Sequence, residues 1–542
     1  MDTSRPCLRM LQCHGVEVEE LSINQLQEHL EGRSFTAKEL TECYLKRIEL
    51  LNPRIKAVIE TNPDALKIAE DLDGERERGE VRSRIHGIPF LVKDNIATKD
   101  KMQTTAGCAA LIGTKVPNDA EVVALLRAAG GVLLGKANLS EWASMRASYY
   151  SEAYSSRGGQ NRSPYNLAEH PGGSSSGPAS AVTTNMCAFA IGTETDTSVI
   201  VPADRNALVG IKPTVGLTST SGVIPEAPSQ DTVGTFGRSV EDAAIILDII
   251  ADKNSRPESQ ASEVYTSYLA NKDALKGAIF GLPMKRVWEA ASNSAGYKSE
   301  YLALKELVGR IEGAGAQIIE VDFPSTEEII SPNGWDWEYA AGEHGSQLSE
   351  FEVVKIEFYR SLAVYLSTLK HNKDIHSLED VVAYNIRHTE TEGGVPGTHP
   401  AWPTGQDNFD RSIESKDDGE AVYSKAREYN LRKSREEGVD AALKRGEGQL
   451  DGLLVPVQAD GSGACSVAAK AGYPMITIPV GVGDRAIPFG LGIIQTAWEE
   501  SKLIKFGSAI EDLIGHRHRP KFLNFDADNY TYVGSPPTKT AT

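Results

Sequence analysis

Cysteine is scarce in this chain. There are six in 542 residues, at positions 7, 13, 43, 108, 187 and 465, and no two form a C-x-x-C pair. That spacing excludes zinc ribbons, thioredoxin-like redox centres and a disulfide scaffold. Long apolar runs are missing too. The most apolar stretch, near Ala243–Ala251, is too short to span a bilayer and is broken by Asp248. No apolar segment follows the first basic residues, so no secretory signal is read and a reducing, cytoplasmic setting is expected. Positive charge is also short: 56 Lys and Arg against 75 Asp and Glu leave a net charge of −19. An acidic surface without a basic cluster excludes nucleic acid and anionic membrane as general partners. H-E-x-x-H and EF-hand loops do not occur. Gly130 to Lys136 approaches a phosphate-binding P-loop, but Ala137 stands where the magnesium-holding hydroxyl belongs and the intervening residues are an apolar strand. No metal and no cofactor are therefore expected. What remains is the composition of an ordinary globular protein, 40% hydrophobic and 24% charged.

Taken in order, residues 1–16 lack periodicity and read as a tail. Thr36-Ala-Lys-Glu39 is a capping box, and Leu40, Cys43, Tyr44, Ile48 and Leu51 line one helical face up to a stop at Asn52-Pro53. A second helix is expected from Asn62-Pro63. His86–Val92 is a short, punctuated apolar strand that delivers Lys93 at its end. Asn118-Asp119 should cap a helix running to about Ala129, followed by a strand over Val132–Leu134. Ser239 opens a further helix, and Ile318–Val321, Leu453–Val457 and Met475–Val480 read as strands. This alternation predicts an α/β fold with a mixed central sheet between helices. Residues 385–420 are rich in Gly and Pro, and read either as a surface excursion or as a loop beside a cleft with Trp402 as its wall.

Two serine-bearing turns, Pro171–Gly177 and Gly192–Ser198, flank one helix-and-strand unit. A serine hydroxyl needs a base to become a nucleophile. Gly173-Ser-Ser175-Ser-Gly177 fits the G-x-S-x-G elbow, but no Asp and His with a specific signature follow it. The other base available is a lysine kept neutral by burial. Lys93 sits where a sheet edge opens to a crevice. By its residue type alone it reads first as a lysine paired with Asp94 or reaching solvent, as most lysines do. Ser174 by itself could belong to a linker, and Ser198 to a capping turn.

Taken together, His86-Gly-Ile-Pro-Phe-Leu-Val-Lys-Asp-Asn95, Leu134–Ala143, Pro171-Gly-Gly-Ser-Ser-Ser-Gly177, Gly192-Thr-Glu-Thr-Asp196 and Leu208–Leu217 closely resemble the amidase signature family. Arg157-Gly-Gly-Gln160 is most similar to its peptide amidase and fungal or bacterial amidase branch. The resemblance implies the amidase signature fold over residues 17–525, with a helical part 17–85, a signature core 86–250 and a C-terminal α/β part, followed by a tail at 526–542. It implies cleavage of a small-molecule amide or amidated peptide without a cofactor. Lys93 would be the base, Ser174 the relay that follows a cis peptide bond, and Ser198 the nucleophile. The amides of Thr195, Asp196, Thr197 and Ser198 would form the oxyanion hole.

One residue departs from the pattern: the family's Asp-Gly-Ser is Asp196-Thr197-Ser198 here. A β-branched residue tolerates positive φ poorly and would crowd the acyl pocket. The departure keeps open a non-hydrolytic or repurposed member: a cyclising or acyl-transferring catalyst, or a pseudoenzyme. The glutaminase subunit of a tRNA-dependent amidotransferase shares the signature but is disfavoured by the Arg157–Gln160 context. Homo-oligomerisation is left open.

Overall fold

The computed structural model describes residues 8–526 apart from 253–254, 256, 258–263, 343–344, 371, 373, 447 and 459–462. Eleven strands form one sheet. In chain order they are β1 (Val58–Thr61), β2 (Pro89–Lys93), β3 (Val132–Ala137), β4 (Phe189–Glu194), β5 (Val209–Lys212), β6 (Thr232–Gly237), β7 (Ile279–Pro283), β8 (Gln317–Val321), β9 (Gly452–Pro456), β10 (Met475–Val482) and β11 (Pro488–Ile494). The spatial order is β1-β3-β2-β4-β6-β5-β10-β11-β9-β7-β8. The sheet is mixed: β3, β2 and β4 run parallel, the middle from β4 to β9 is antiparallel, and β9, β7 and β8 are parallel again.

β2, β3 and β4 are buried along their whole length. That is why they read as continuous apolar runs rather than alternating ones. Phe90 of β2 stacks on Phe189 of β4 with ring centroids 5.2 Å apart. Helices supply the covering layers. Ala37–Ile55 begins with the predicted Thr36/Glu39 capping box, and Val240–Ile250 is capped by Ser239. Among the described residues no helix is long and apolar enough to cross a membrane. Cys13, Cys43, Cys108, Cys187 and Cys465 are buried and unbridged.

Several boundaries differ from the sequence reading. The first long helix runs past Pro53 to Ile55, because a proline near a helix end forfeits only one backbone bond. The next helix starts at Ala65 rather than Pro63, since the Asn62 side chain bonds Asp64 N and Leu133 O instead of capping. Asp119 does not cap the helix Glu121–Ala128; its carboxylate accepts from Lys99 N. Residues 8–16 are packed rather than loose: Leu8, Met10 and Cys13 are buried, and Cys13 bridges Val16. Within 385–420, helices Thr389–Glu392 and Asp407–Glu414 interrupt what the Gly and Pro content marked as irregular. Most of the tail at 526–542 lies outside the described residues.

Candidate active site

The strand β2 ends at Lys93 in the interior of the sheet, where the side chain is fully buried. Its Nζ lies 2.7 Å from Ser174 Oγ, 2.9 Å from Thr193 Oγ1 and 3.2 Å from Thr193 O. Ser174 stands in the turn before the helix Ser176–Thr183, after a cis Gly173–Ser174 peptide. Ser198 stands in the turn between β4 and the helix Ile200–Arg205. Ser174 Oγ and Ser198 Oγ lie 2.9 Å apart, within hydrogen-bond distance. The three side chains thus form one continuous file from a buried amine to a hydroxyl at the floor of a cleft. Burial pushes Lys93 down to about 7, against the pull of Glu226, Asp231, Glu194 and Glu152, which favour its charged form.

One close approach sets the Ser174 turn. A Cβ on Gly173 would lie 1.8 Å from Glu152 Oε1, so only glycine fits there. The Glu152 carboxylate in turn accepts from Ser140 Oγ and Tyr150 Oη. Ser175, the residue of the G-x-S-x-G match, is not at the cleft floor. Its hydroxyl bonds the backbone of Thr193, donating to O at 2.9 Å and accepting from N at 3.2 Å. His170 lines the cleft, but its Nδ1 takes the Gly172 N–H at 3.2 Å, and burial holds it well below the ordinary histidine range.

The loop 195–198 is tied at both ends. Glu194 Oε2 accepts from Val199 N and Ile200 N, at 2.6 and 2.9 Å, and so caps the helix that follows. Asp196 Oδ2 accepts from Trp335 Nε1 and Ser466 Oγ, both at 2.8 Å. Thr195 Oγ1 lies 2.8 Å from Glu226 Oε2 and 2.6 Å from Asp231 Oδ1. Among the described residues the amide N–H groups of Thr195, Asp196, Thr197 and Ser198 meet no protein acceptor. Thr197 has φ +62°, the left-handed region that favours glycine, and its hydroxyl turns back to Asp196 O at 2.7 Å.

The cleft over Ser198 encloses about 170 Å³. Trp335, Trp337 and Val354 form an apolar wall, with the two indole centroids 5.6 Å apart. Glu152, Glu226 and Glu350 supply its polar face. Burial raises all three carboxyls, Glu350 to about 8 with the neighbouring Asp196 adding to the effect.

A family model described as Amidase matches residues 39–460. The chain belongs to the amidase family. Amidase-named proteins of Schizosaccharomyces pombe and Arabidopsis thaliana are 47% and 37% identical to it, over 96% and 93% of this chain and 90% and 92% of their own length. The crystal structure of native peptide amidase from Stenotrophomonas maltophilia superposes with a TM-score of 0.80 at 36% identity, covering 93% of this chain and 99% of that one. The chain accordingly has the amidase signature fold and is an amidase-family hydrolase of amide C–N bonds.

Against this family background, the structure brings Lys93, Ser174 and Ser198 into contact, with Thr195, Asp196 and Thr197 on the adjoining loop. It does not bring Trp402 to the cleft. That indole is buried under the Arg146 guanidinium, 3.6 Å from its ring centroid, and against Tyr154. The aromatic wall comes instead from Trp335 and Trp337, which carry no sequence signal because they reach the site only through tertiary packing. Glu226 and Asp231, in the loop before β6, were also missed. Two carboxyls five residues apart resemble any solvated turn until their burial is known.

Proposed function

We propose that this amidase hydrolyses a small carboxamide through an acyl-enzyme on Ser198, with Ser174 as relay and Lys93 as base. The observation that carries the reading is the unbroken file Lys93 Nζ–Ser174 Oγ–Ser198 Oγ, with steps of 2.7 and 2.9 Å. A neutral lysine has two N–H donors and one lone pair. Thr193 O and Thr193 Oγ1 are within reach of the two donors, which leaves the lone pair for the Ser174 hydroxyl.

As Ser198 Oγ attacks the amide carbon, its proton passes to Ser174 Oγ while the Ser174 proton passes to Lys93 Nζ. The negative oxygen that develops faces the unpartnered amides of residues 195–198. Each such donor contributes about 3 kcal/mol to lowering the barrier in comparable sites. When the C–N bond breaks, the proton held on Lys93 returns through Ser174 to the departing nitrogen, so ammonia or an amine leaves neutral. Water then takes the place of the amine, loses its proton along the same file and releases the acid, restoring Ser198. The enclosed volume of about 170 Å³ favours a small acyl group, and the indole wall an apolar one.

A fluorophosphonate probe tests this reading. Labelling of the wild type that disappears in Ser198→Ala supports it, and no labelling of folded wild type contradicts it. A second reading, acyl transfer to an acceptor other than water, draws on Thr197 standing at φ +62° beside the nucleophile. A large gain in hydrolysis of simple amides by Thr197→Gly would favour it.

A further inference from the structure

Thr195 Oγ1 is in hydrogen-bond contact with two carboxyl oxygens, Glu226 Oε2 at 2.8 Å and Asp231 Oδ1 at 2.6 Å. A hydroxyl has one proton to donate, so it can satisfy only one carboxylate. The second contact needs a proton on the other carboxyl, which then donates to the hydroxyl oxygen. Neighbouring bonds decide which acid holds it. Asp231 also accepts from Glu226 N at 2.9 Å and from Ala227 N at 3.1 Å, both of which favour its charged form. Thr195 is the hydrogen-bond partner of the Glu226 carboxyl among the described residues.

We propose that Glu226 is a protonated acid in the resting enzyme, donating to Thr195 Oγ1, so that Glu226, Thr195 and Asp231 together carry one negative charge. Two consequences follow for the reaction. The Thr195 side chain is held from both sides, which fixes the start of the loop whose amides face the developing oxyanion. The proton also removes one of the charges that would hold Lys93 as an ammonium. The groups acting on Lys93 are Glu226, Asp231, Glu194 and Glu152; those acting on Glu226 are Asp231, Lys93 and Glu350, and Glu357 acts on Asp231. Burial raises both carboxyls, in keeping with one proton held within the pair. Glu226 is thus a positioning residue, acting through Thr195 and Lys93.

This inference rests on Lys93 being the base, but its first test does not. Infrared difference spectra of wild type minus Glu226→Gln at pH 8, in H₂O and D₂O, read the Glu226 proton without turnover. Loss of a protonated-acid carbonyl band in the variant supports the proposal. Loss of carboxylate bands alone overturns it, whatever becomes of the nucleophile. The second test is the pH profile of kcat/KM. Glutamine keeps a neutral donor, so the acid limb is expected to stay within about 0.3 of a pH unit of wild type. Deleting a real negative charge beside Lys93 would move that limb down by roughly one unit, and such a shift overturns the proposal. Third, Glu226→Ala removes the donor and should cost kcat at least about tenfold more than Glu226→Gln, in line with one lost buried hydrogen bond. Equal losses in the two variants would overturn the donor role.

Discussion

Replacing Thr197 with glycine separates backbone strain from side-chain crowding. A non-glycine residue held at φ +62° costs about 1–3 kcal/mol. Glycine relieves that cost but loses the hydrogen bond to Asp196 O, about 1 kcal/mol. It also adds about 0.5–1 kcal/mol of unfolded-chain entropy. These terms nearly cancel, so Thr197→Gly should unfold within about 1 kcal/mol of wild type. Thr197→Ala loses the same bond yet keeps the left-handed cost, and should be the less stable of the two. Chemical denaturation of the three proteins in parallel measures this. The same set reports on crowding, because Thr197 lines the cleft beside Ser198. Removing its branched side chain should raise kcat/KM for a branched acyl amide over its unbranched analogue by about tenfold, the scale of one to two methylenes in an apolar pocket. An alanine variant more stable than the glycine variant would refute the strain argument. An unchanged acyl-size preference across the three would refute the crowding argument.

Lys93 must be neutral to accept a proton, so kcat/KM should fall as pH drops through about 7. The folded state binds fewer protons at this site than the unfolded chain between about 7 and the ordinary lysine value of 10.5. On this account stability rises with pH across that window, and the cost of burying the amine is complete below it. Lys93→Met should therefore be at least as stable as wild type at pH 6, while kcat/KM drops about 10³-fold or more; a loss under tenfold contradicts the assignment. Arg146→Met should destabilise the fold by about 3–5 kcal/mol, because it leaves the buried Glu141 carboxylate without its ion-pair partner. A loss below about 1 kcal/mol in denaturant melts would show that Glu141 is protonated in the fold.

The elements nearest the chemistry were the most legible in sequence. β2 and β4 are short apolar runs that each end in a polar residue of the site, and a glycine-rich turn precedes Ser174. Strand ends and tight turns drew attention to Lys93, Ser174 and Ser198, but each alone also fitted a bland role. Only the resemblance of the combined motifs to the amidase signature family assigned them the base, relay and nucleophile roles. Helix starts were less legible where side chains had other partners: Asn62 reaches Leu133 O across the structure and Asp119 takes Lys99 N, so neither caps as its residue type suggests. The cleft wall was illegible. Trp335 bonds Asp196 across 139 residues of chain, and nothing local distinguishes it from Trp402, whose place under Arg146 is likewise a tertiary contact. The proton proposed for Glu226 depends on burial, which composition does not report.

The central claim is that the acyl group rests on Ser198. Acid quenching during turnover of a slowly hydrolysed ester or anilide, followed by peptide mapping, reads this directly. The account predicts the acyl mass on the peptide bearing Ser198, building up within the first turnover and absent from Ser198→Ala. Steady turnover that persists in Ser198→Ala, or an adduct on Ser174 or Ser175 instead, would contradict it.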